Sequence, residues 1–168
     1  MKTVLPVAFV FLIAVFVSAQ SEPSKNTEYN LYSLALKTSI LQMDKDYGHI
    51  DDSVLGEQVR TDYRRMIVEK DPLITDGLPA EFGNHSVEYL DREGLAARYR
   101  KLGKSYATLV IRPIQNEGPT LKVEVVVYWI SYKKHRLALG LSDWSDVEFR
   151  YDCDKQQFVV SSVKLGGI

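Results

Sequence analysis

The stretch Leu121–Tyr132, LKVEVVVYWISY, limits what this chain can fold into more than any other. Leu121, Val123, Val125, Val127 and Trp129 form an unbroken apolar line at odd positions. Even positions begin polar, at Lys122 and Glu124, and then turn apolar at Val126, Tyr128, Ile130 and Tyr132. Period-2 alternation built from β-branched and aromatic residues predicts a strand with one face in the core. The change of character on the even face demands a cover there too: another part of the chain, a ligand or a partner.

The first residues bear on compartment. Met1-Lys2 is a short basic start, Thr3–Val17 is almost wholly apolar, and Val17-Ser18-Ala19 places small residues before a cleavage point near Ala19/Gln20. This pattern predicts a secretory signal peptide over residues 1–19 and a secreted or periplasmic protein. The apolar run falls short of the roughly 20 residues of a membrane span, so no stable membrane anchor is expected after cleavage. Residues 20–27 (QSEPSKNT) read as a flexible leader, and residues 28–168 as a single domain. The formal net charge of −1 supplies no field to draw in nucleic acid. Cys153 is the only cysteine, so no internal disulfide can form, and its register with Val147, Phe149 and Tyr151 predicts a buried thiol.

Leu31, Leu34, Ala35, Thr38, Leu41 and Gln42 recur at helical spacing, widened by Leu36, Ile40 and Met43, after a capping Thr27. They predict a helix over Glu28–Asp44. A second short helix is expected over Ser53–Asp62, and a strand at Met66–Val68 stopped by Asp71-Pro72. Leu73–Asn84 reads as a long loop, Ser86–Leu90 as a strand, and Arg92–Leu102 as a helix capped by Asp91 and closed by Gly103. From there the chain is β: Tyr106–Ile114, a turn at Asn116–Pro119, the central strand, a basic tip at Lys133–Arg136, a bulge near Ser142–Ser145, and strands over Val147–Cys153 and Phe158–Leu165.

This order predicts an α+β fold with N-terminal helices packed on one face of a strongly bent antiparallel sheet, about three helices and six strands. In element order, over most of Glu28–Ile168, it resembles the nuclear-transport-factor-2-like (NTF2-like) superfold, a cone of helices and curved sheet around a pocket. Cystatin-like domains share the final meander. The resemblance implies small-molecule enzymes, ligand-binding modules or dimerising interaction domains, and does not choose among them.

Motifs for chemistry are sparse. Gly103-Lys104-Ser105 lacks the first glycine and the strand-to-helix setting of a phosphate loop. His49, His85 and His135 have no second His or Cys at ligand spacing, so no metal and no cofactor is expected. The candidates for acid–base catalysis are Asp62 and Tyr63, with His85 or Tyr89 entering from the next strand. Asn84-His85-Ser86 is a glycosylation sequon that acts only in a eukaryotic source. Val126, Tyr128, Ile130 and Tyr132 form a candidate partner-binding band, with the polar set Glu148, Arg150 and Asp152 expected beside it. Val125, Val127 and Trp129 would form the floor of a pocket between helices and sheet. The expected protein is a non-catalytic binding domain that self-associates as a homodimer. The alternative is an enzyme or binder of a small apolar ligand.

Overall fold

A computed structural model of the protein describes residues 25–47, 64–133 and 136–167. In chain order these form α1 (Lys25–Tyr47), β1 (Arg65–Glu69), β2 (Glu81–Phe82), β3 (His85–Leu90) and α2 (Arg92–Leu102). Then follow β4 (Tyr106–Ile111), β5 (Gln115–Glu117), β6 (Thr120–Lys133), β7 (Arg136–Asp152) and β8 (Gln157–Gly167). The fold is α+β, with two helices and one open eight-stranded sheet among the described residues. The order across the sheet is β2-β3-β1-β4-β6-β7-β8, and β5 pairs beside β4 on β6.

Local chemistry sets most boundaries. Asp91 accepts from the Gly94 amide at 2.8 Å and starts α2, while Gly103, at φ 67°, donates its N–H to the Tyr99 carbonyl and ends it. β4 stops at Ile111 rather than Ile114, because Pro113 has no N–H for the ladder. α1 begins at Lys25 and runs through Thr27, the expected cap position. Asn116 and Glu117 belong to strand β5, and the turn is confined to Gly118-Pro119, with Gly118 at φ 73°. The helix expected over Ser53–Asp62 lies outside the described residues.

Two expectations for the sheet are corrected. It is mixed: β1 runs parallel to both β3 and β4 and lies between them, and only the other pairings are antiparallel. The helices also lie on opposite faces. α1 buries Leu31, Ala35, Leu36, Ile40 and Met43 against Val123, Val125, Val127, Val147 and Phe149, the odd-position face that we call inner. α2 buries Leu95 against Ile67, Tyr106 and Ile130 on the outer face. The crossover from β3 to β4 explains this, because joining two parallel strands around β1 carries the intervening helix over the sheet.

Ser39 of α1 donates to Ser145 of β7 at 3.0 Å, and both residues are fully buried. This pair meets the rule that buried polar groups find partners, and it fixes where α1 crosses the meander. Opposite it, Val127 faces Asp143 and Tyr128 faces Leu141, so Ser142 is an extra residue in β7, the bulge expected there.

Candidate functional site

The cover required over the even positions of β6 is now identified for its second half. Ile130 is fully buried beneath α2, and Tyr132 stacks on Tyr99 of α2 with ring centroids 5.8 Å apart. Val126 is buried between its cross-strand neighbours Val110 and Trp144. Tyr128 stays half-buried at the end of α2's reach.

Register changes the surroundings of this band. Glu148 and Arg150 lie opposite Lys122 and Thr120, far from Tyr128 along the strand. Tyr128, Ile130 and Tyr132 instead face Leu141, Leu139 and Leu137, so the apolar band continues onto β7. Leu139 and Leu141 are 38% and 45% exposed, and nothing among the described residues covers them fully. They were legible as alternating apolar positions. Their exposure depends on where α2 lies on the sheet, which local pattern does not encode.

Beside Tyr128 lies an open groove of about 690 Å³. Val110, Tyr128 and Leu139 contribute its apolar wall, and Glu69, Lys70, Asp71, Arg92 and Arg112 its charged rim. Arg112 Nη2 donates to the Tyr128 hydroxyl at 2.7 Å, and its guanidinium sits 6.0 Å from the centre of that ring. Arg92 Nε donates to Glu69 Oε1 at 3.0 Å, and Asp71 Oδ1 accepts from the Leu73 amide. The rim therefore carries both signs. Under α2, burial pushes the Tyr106 phenol up to about 12, and its hydroxyl donates to the Leu95 carbonyl at 2.7 Å.

A second open groove, of about 720 Å³, lies on the inner side between α1 and the β7–β8 turn. The expected floor residues do not line it. Val125 and Val127 are buried in the core beneath α1, and Trp129 is half-buried further along β6.

Of the catalytic candidates, Asp62 and Tyr63 lie outside the described residues, as do His49 and His135. His85 is nine-tenths buried, with Nε2 2.9 Å from Oδ2 of Asp44. A carboxylate can only accept, so Nε2 is the donor in this contact. Nδ1 is buried with no hydrogen-bond partner among the described residues, and His85 lines neither groove. The pair ties the C-terminal end of α1 to the β2–β3 hairpin. Tyr89 donates to the Pro79 carbonyl. Cys153 is exposed, contrary to its expected burial. Asp152 accepts from the amides of Asp154 and Lys155, which ends β7 one residue earlier and puts Cys153 in the turn. Among the described residues no cluster of three metal-ligating side chains occurs, and no helix is long and apolar enough to cross a membrane. Compared with protein-family models, curated proteins and solved structures, the chain matches none of them.

Proposed function

We propose that this protein is an exported, non-catalytic interaction domain that associates with a second copy of itself through the outer face of β6 and β7. The observation that carries this reading is the pair Leu139 and Leu141, exposed at alternate positions of one strand beside Tyr128. Exposed apolar residues rimmed by charge suit a protein surface. The adjoining rim holds Glu69 and Asp71 as well as Lys70, Arg92 and Arg112. A two-fold operator presents the same patch from both subunits, so the acidic part of one rim can meet the basic part of the other. A single small ion would find no such match. Export rests on the basic and apolar pattern of residues 1–19. The finer reading of the fold, an NTF2-like cone, belongs to the same proposal. It is supported by α1 lying across one face of a sheet that ends in a three-strand meander.

Light scattering and native mass spectrometry test the association. The expected result is two subunits for the wild type and one for Leu139→Glu or Leu141→Glu, with circular dichroism unchanged. Ile130 is unsuitable for this test because its burial makes a charged variant unfold. A monomeric wild type, or leucine variants that keep the two-subunit mass, would defeat the proposal.

A further inference from the structure

The inner groove has a composition unlike that of the outer one. Leu31, Leu34, Phe82 and Phe158 give it apolar walls, and Tyr151 stands 48% exposed with its ring edge-on to Phe158 at 5.3 Å. Lys37 is the only charged side chain among the described residues that line it, and it pairs with no carboxylate among them. At about 720 Å³ the groove has the size of small-molecule sites, which combine apolar walls with a few placed polar groups.

A separate observation points to the same place. Gln156, in the β7–β8 turn, is the only non-glycine residue at positive φ among those described, at 52°. Glycine takes that conformation freely, whereas an L side chain is strained there. Residues held in such conformations cluster at active sites and ligand clamps, and Gln156 lines the groove.

We infer that this groove binds an amphipathic carboxylate, whose apolar body lies along Leu34, Phe82, Tyr151 and Phe158 and whose head meets Lys37 and Gln156. Charge complementarity selects the class: among the described residues that line the groove, one unpaired cation and no acid favour an anion over a neutral or cationic ligand of the same shape. This site is on the opposite face from Leu139 and Leu141 and does not depend on self-association.

Calorimetric titration of the purified protein with octanoate, octan-1-ol and octylammonium tests it. Octanoate is expected to bind about fivefold tighter than octanol, the scale of one partly screened charge pair, with octylammonium weakest. Lys37→Gln should abolish the preference for octanoate over octanol. Gln156→Gly should weaken octanoate about threefold while the thermal midpoint stays level or rises, because the strain is relieved. Leu141→Glu should bind octanoate like the wild type, which separates this site from the association face. Equal affinity for the three probes, no saturable binding, or unchanged octanoate binding in Lys37→Gln or Gln156→Gly would overturn the inference.

Discussion

Tyr106 shows how one polar atom is accommodated under α2. Its ring fills the space between Leu95, Ile67 and Ile130, and its hydroxyl reaches a helix carbonyl. Ionisation would bury a charge, so the phenol is pushed up to about 12 from a usual value of 10.0. Between those values the unfolded chain releases this proton and the folded chain keeps it. The contribution is therefore fully present below pH 10 and lost as pH rises toward 12. Urea midpoints at pH 8 and pH 11 should show the wild type losing stability relative to Tyr106→Phe. At pH 8 the variant should be weaker by about 1 kcal/mol, the value of one hydrogen bond. A constant difference across that range would refute the account.

The β7–β8 pair depends on a glycine. Trp144 and Gly166 lie opposite each other on the outer face, and a Cβ built on Gly166 would run into the indole ring. An aromatic ring laid over a strand glycine replaces the packing that the glycine lacks. Gly166→Ala must push the indole outward, at about 1–3 kcal/mol for overpacking. In a Trp129→Phe background the emission should shift to the red, reporting Trp144 alone, and unshifted emission would count against this packing. Pairings of this kind explain what could be read beforehand. The α2 caps at Asp91 and Gly103, the Ser142 bulge and the long alternation of β6 are local chemistry and were legible. The parallel insertion of β1 was not, because Val68 finds Leu109 only after the chain has passed through β3 and α2.

Across the whole molecule, legibility follows sequence separation. The even face of β6 needs a cover, and α2 supplies it over Ile130, but nothing in LKVEVVVYWISY says which helix. The inner groove joins Lys37 to Gln156 from distant parts of the chain, and neither carries a motif. The helix α1 itself has an oblique stripe in which Leu41, expected inside, is 42% exposed. Its true inner line, from Leu31 through Ala35, Ser39 and Met43, is defined only by the strands it meets.

Those strands are made last. α1 packs on β6, β7 and β8, and the partner of Ser39 lies 106 residues further on. Early segments such as the β2–β3 hairpin, reached through His85, can engage its C-terminal end. During synthesis, however, the helix leaves the ribosome long before the meander that receives most of its inner line, and domains complete themselves only as their partners emerge. Nascent chains stopped after Lys133 should leave α1 open to protease, and released full-length chains should protect it; protection at the shorter length would contradict this order. In the interval Leu36, Ile40 and Met43 stand exposed, so a holding partner in the cell would act on the first helix, and the last hairpin would release it.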